Sequence, residues 1–118
     1  MSNLKNFKTL ALSFPEAEEH KHFDNIAFKV SKKIFVTLNE KKNQACVKLS
    51  LVDQDVFALA AKSVIYPVPN KWGKQGWTII ELDKVKSDLL IDALTTAFCT
   101  VASKKLVQTY CNKLNDTI

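Results

Sequence analysis

Only two glycines occur in 118 residues, and both share one stretch with the only two tryptophans: Lys71-Trp72-Gly73-Lys74-Gln75-Gly76-Trp77-Thr78-Ile79-Ile80-Glu81-Leu82. Glycine lacks a Cβ, so it marks places where a backbone turns sharply or is approached closely. Two such places bracketing Lys74-Gln75, followed by a β-branched run, predict a constrained turn feeding a strand from about Trp77 to Leu82. The same scarcity limits chemistry. The chain has no G-x-x-x-x-G-K, no G-x-G-x-x-G and no G-x-S-x-G, so neither a phosphate-cradling loop nor a nucleophile elbow is present. No catalytic residue is assigned, and the expectation is a protein that is not an enzyme and uses no cofactor.

Ahead of the glycines, hydrophobic periodicity sets the layout. Leu4, Phe7, Leu10, Ala11 and Phe14 follow helical spacing up to Pro15. A polar connector, residues 16–24, precedes three alternating runs: Ile26, Phe28 and Val30; Ile34, Val36 and Leu38; Ala45, Val47 and Leu49. Short turns at Ser31-Lys32 and 40–43 join them, which is the pattern of an antiparallel meander. Asp53 is expected to cap a helix from Gln54 to about Ala61, with Val56, Phe57, Leu59 and Ala60 inward. Tyr66 to Asn70, with two prolines, reads as an extended connector. A last helix opens at Ser87 or Asp88 and turns Leu89, Leu90, Ala93, Leu94, Ala97, Phe98 and Val101 inward. The resulting fold class is α+β, an antiparallel β-sheet with helices packed on one face.

A chain of this length forms one domain, residues 1–118, with a core over about 3–103 and a polar, Lys-rich tail from 104 to 118; it buries roughly 65% of its unfolded surface without staples. No apolar run is long enough to span a bilayer, and Met1-Ser2-Asn3-Leu4-Lys5 lacks the basic-then-apolar order of a secretory signal. Cys46, Cys99 and Cys111 are odd in number and not paired as C-x-x-C, so they read as small buried hydrophobes in a reducing compartment. A cytoplasmic monomer is expected.

Charge narrows the partner. The net charge is +5, from 17 basic and 12 acidic side chains, and every basic residue is lysine. Without arginine the chain lacks the planar fork that reads guanine edges or grips a phosphate with two bonds, but lysine still neutralises phosphate as a point charge. An all-lysine surface is also what solubility alone produces. If the Ile/Val/Leu positions of the strands face the helices, Lys29, Phe35, Thr37, Cys46, Lys48 and Trp77 face away. Rings beside ammonium groups can stack bases while neutralising phosphate. The candidate nucleic-acid-binding residues are therefore Lys29, Lys32, Lys33, Lys48, Lys74, Phe35 and Trp77, with DNA as a weakly held, salt-sensitive partner.

Two blocks resemble the MmcQ/YjbR family of small bacterial proteins. The first comprises Phe14-Pro15-Glu16, Glu18-Glu19, His22-Phe23-Asp24, Ala27 to Val30 and Lys33 to Leu38. The second comprises Val68-Pro69, Trp72 to Thr78 and Leu82, followed by the helix with Ala97 and Phe98. The resemblance runs from about Leu10 to Ala102. It implies a frataxin/CyaY-like fold and a DNA-binding label that rests on a pair of wing-like hairpins, with no catalytic residues to carry over. Lys29 and Lys74 stand where family members often have arginine, and Lys105-Leu106 where a Leu-Pro pair is common.

Consecutive turns of a meander lie at opposite ends of a sheet, so Lys32-Lys33 and Lys41-Lys42 are not expected to grip one groove together; the sheet face is the better surface. Two other readings stay open. His20 and His22, near Glu18, Glu19 and Asp24, share a side of an extended segment, but no further histidine exists to complete a metal site; no metal is assigned. A small-molecule or protein-interaction site is the alternative, in a pocket lined by Tyr66, Trp72 and Trp77 between the glycine turn and the last helix.

Overall fold

The computed structural model describes residues 2–22 and 25–116. In chain order the elements are α1 (Ser2–Leu12), β1 (Glu18–His22), β2 (Asn25–Val30), β3 (Lys33–Asn39), β4 (Gln44–Lys48), α2 (Leu51–Ala60), β5 (Ile65–Pro67), α3 (Lys71–Lys74), β6 (Trp77–Glu81), α4 (Ser87–Val101) and α5 (Lys104–Asp116). Six antiparallel strands form one sheet in the order β1-β2-β3-β4-β6-β5. The alternating runs are strands, as expected. Two segments read as connectors are strands too. β1 is highly charged and exposed, which suits an edge, and β5 ends at Pro67, whose missing N–H is harmless on an edge strand.

One face of the sheet meets the helices. Ile26, Phe28, Val36, Leu38, Ala45, Val47, Ile65 and Ile80 are buried there. Phe7 of α1 meets Phe28 edge-on at 5.9 Å between ring centroids, and Phe98 of α4 stacks on Phe14 at 5.0 Å. α5 adds Leu106, Val107 and Tyr110 to this core, so the stretch read as a polar tail supplies part of it.

Phe35 is a correction. Plain alternation put it on the open face with Thr37, yet it is fully buried against Phe14 and Phe98, at centroid distances of 5.7 and 6.2 Å. The cause is a β-bulge. Register passes from Phe28↔Val36 to Lys29↔Ile34, so β3 uses one more residue than β2 and Phe35 turns inward beside Val36. Ile34 moves to the open face in exchange.

The second helix also differs from expectation. Ser50, rather than Asp53, is its N-cap, with the Ser50 hydroxyl accepting from Asp53 N. Gln54 is the residue turned inward. Its Nε2 is shared among Gly73 O at 2.9 Å, Trp77 O at 3.2 Å and Thr78 Oγ1 at 3.1 Å. That buried polar anchor sets the rotation of the helix, so Phe57 is half-buried while Val56 and Leu59 face solvent. Cys99 is likewise exposed rather than buried.

Both glycines are required by close approach. A Cβ on Gly73 would sit 2.0 Å from Val68 O, and one on Gly76, where φ is 105°, would sit 1.9 Å from Leu49 O. The four-residue α3, which contains Gly73, and the turn through Gly76 place Trp72 and Trp77 on the helix-free side.

Candidate nucleic-acid interface on the open sheet face

Strand register arranges the helix-free face in rows. Asn25, Asn39, Gln44 and Glu81 form a polar row at one end. Next to it run His20, Ala27, Thr37, Cys46, Ile79 and Tyr66. At the far end Glu18 faces Lys29, Lys29 faces Ile34, and Lys48 faces Trp77. Residues two apart along a strand are about 6.7 Å apart, so the outer rows are separated by about 13 Å.

A cleft of about 540 Å³ crosses these rows. Its floor is apolar, from Ile34, Cys46 and Ile79, and Val68, Trp72 and Trp77 form one wall. Asn25, Asn39, Lys42 and Gln44 supply the polar rim. Trp72 is half exposed, so its ring is available to a ligand. Trp77 is partly occupied, because the Lys48 ammonium lies 5.6 Å from its ring centroid and donates a hydrogen bond to Gln75 O.

Hydrogen bonds orient the polar rim. Gln44 Nε2 donates to Glu81 Oε2 at 2.9 Å, and the Tyr66 hydroxyl donates to the same oxygen. Asn39 Oδ1 accepts from Lys42 N at 3.1 Å. The bond to Glu81, then burial and the carboxylate charge, push the Tyr66 hydroxyl up to about 12. Burial pushes the Cys46 thiol up to about 11, opposed by a hydrogen bond with the Thr78 backbone. A thiol held protonated is a poor nucleophile, so Cys46 serves as part of the floor.

The expected binding residues separate into groups. Lys29, Lys32, Lys33 and Lys48 lie at the same end of the sheet as Trp77. Ser31 and Lys32 both have positive φ, 54° and 68°, as a two-residue hairpin turn requires, which presents Lys32 and Lys33 to solvent. Glu16, Glu18 and His20 surround Lys29 on its β1 side. Lys74 lies elsewhere, in a groove with Leu51, Gln54 and Pro67 against α2. Phe35 belongs to the core. The hairpin turns at 31–32 and 40–43 are at opposite ends of β3, so they do not form a pair of wings on one edge.

The alternative pocket is also displaced. Trp72 and Trp77 do line a cleft, but it lies on the open sheet face and not toward the last helix, and Tyr66 is tied to Glu81 beside it. His20 Nε2 is 3.4 Å from Glu18 Oε1, while Asp24 lies outside the described residues. Sequence reading missed Ile34, Val68, Asn25, Asn39 and Gln44. The amides could have been found by continuing the period of two from Thr37 and Cys46 to the strand ends; Ile34 was hidden by the bulge.

The YjbR family model matches residues 12–100. Among solved structures, the chain is similar to the crystal structure of Deinococcus radiodurans protein DR2400, whose family-model domain is DUF419. The TM-score is 0.74 at 18% sequence identity, covering 86% of this chain and 80% of that one. No curated protein matches the chain. Among the described residues no helix is long and apolar enough to cross a membrane.

Proposed function

The chain belongs to the YjbR family, and we propose that it is a non-enzymatic cytoplasmic module that binds nucleic acid weakly on its open sheet face. One observation carries this reading: the ammonium of Lys48 sits over the Trp77 ring, beside the exposed Trp72, at the end of the sheet that also holds Lys29, Lys32 and Lys33. Cation and ring are the two elements of sequence-tolerant binding, and the net charge of +5 favours a polyanion. The absence of arginine argues for contacts to backbone rather than for reading of a duplex groove.

Both tryptophans lie on the proposed surface, so intrinsic fluorescence reports occupancy directly. Titration with DNA at two salt concentrations should show affinity falling steeply as salt rises, and Lys29→Glu with Lys48→Glu should abolish binding. Affinity that is unchanged in high salt, or in the double variant, defeats the proposal. A second reading, a small-molecule site, is favoured by the apolar floor and a volume of about 540 Å³, inside the roughly 300–1,000 Å³ of ligand pockets. It predicts that an uncharged planar compound quenches the tryptophans equally at low and high salt.

A further inference from the structure

The rim of the cleft carries a donor and an acceptor side by side. Asn39 and Gln44 are register partners on β3 and β4. Asn39 turns Oδ1 to the Lys42 backbone, so its NH₂ remains as a donor. Gln44 turns Nε2 to Glu81, so its Oε1 remains as an acceptor. Both residues line the cleft. An adjacent acceptor and donor on a flat molecule would complete this pair, and that arrangement is what the polar edges of nucleobases offer.

Across the floor, Trp72 offers a half-exposed ring to the flat face of such a molecule. Lys42 stands at the amide end and Lys48 at the tryptophan end, where backbone phosphates on either side of a seated base could be neutralised. Glu81, beside the rim, accepts from both Tyr66 and Gln44. A paired base inside a duplex exposes neither its face nor its Watson–Crick edge, so the site favours an unpaired strand.

Building on the nucleic-acid reading above, we infer that the cleft seats a single unstacked base of single-stranded nucleic acid, with its ring against Trp72 and its polar edge at Asn39 and Gln44. The lysines then act on flanking phosphates, and the chain distinguishes strand from duplex without reading a groove.

The test compares three probes of equal length, about 12 nucleotides: a single strand, its duplex, and a strand with abasic sites through its middle. Full-length protein is titrated at one low salt concentration and followed by anisotropy of the labelled probe. The strand should bind at least about tenfold tighter than the duplex or the abasic strand. Trp72→Ala should remove that preference while keeping the salt dependence, and Thr37→Phe, which fills the floor from a second position, should do the same. Trp72→Phe should retain part of it. Equal affinity for all three probes overturns the inference but leaves lysine-driven binding standing, as does an undiminished preference in both Trp72→Ala and Thr37→Phe. No binding by any probe removes the nucleic-acid reading and this inference together.

Discussion

The two faces of this sheet are built from the same strands and obey different rules. On the covered face, Phe28, Val36, Leu38, Val47 and Ile80 are buried. Among the described residues the buried polar side chains are Thr78 and Gln54, with the Thr78 hydroxyl accepting from Gln54 and donating to Gly76 O. On the open face, amides, a thiol, lysines and rings share one cleft or stand at its ends. The covered face is defined by exclusion of water, so each position has one acceptable chemistry. The open face keeps water on one side and tolerates a mixture, which makes its composition informative about ligands rather than about folding.

The sharpest way to break that distinction is at the bulge, where adjacent residues belong to opposite faces. Phe35→Ala should cost about 3–5 kcal/mol, because it empties a site surrounded by Phe14 and Phe98. Ile34→Ala, one residue earlier on the cleft side, should cost about 1 kcal/mol. Urea unfolding of the two variants decides the matter, and a reversed order would return Phe35 to the open face.

A second prediction concerns the turn that holds both tryptophans on the open face. Gly76→Ala should destabilise by at least about 2 kcal/mol, since the new methyl meets Leu49 O and φ of 105° disfavours any side chain. The Leu49 N–H bond to Gly76 O, 3.0 Å long, would be strained in the same step. Thermal unfolding measures the loss. A variant as stable as the parent would mean that the turn is looser than this geometry and that the tryptophan wall is not fixed.

The covered face was legible in the sequence, and the open face much less so. Ile26, Phe28, Val36, Leu38, Val47 and Ile80 alternate with a period of two, and Leu90, Ala93, Leu94, Ala97 and Phe98 repeat at helical spacing, because burial imposes that regularity. The two glycines declared close backbone approach because little else explains them. Phe35 was misplaced because a bulge shifts phase without any change in composition. α2 was rotated because Gln54, a polar residue, is its buried anchor, and periodicity counts only apolar ones. β1 went unseen because an exposed, charged edge strand carries no alternation to read. The cleft amides were legible only singly, as strand-end continuations of the open-face alternation; as a set they were not, since Asn39 and Gln44 meet through strand register.

The smallest expected effect lies in the polar rows of the open face, where Tyr66 and Gln44 both donate to Glu81. The Tyr66 hydroxyl is held near 12 in the folded protein, above the value of about 10 expected in the unfolded chain. A raised folded value means that the native state holds this proton more tightly. The contribution is therefore complete below about pH 10 and is lost as pH climbs through about 12; near neutrality it is fully present and adds no pH dependence. Stability measured by denaturant between pH 9 and 12 should fall less steeply in Tyr66→Phe than in the parent, and phenolate absorbance should appear earlier in Glu81→Gln. Identical pH slopes for Tyr66→Phe and parent would show that Glu81 does not hold the hydroxyl. Tyr66 and Gln44 donate to the same Glu81 oxygen, so this modest alkaline effect tests whether that carboxylate sits where it also turns Gln44 Oε1 toward the cleft.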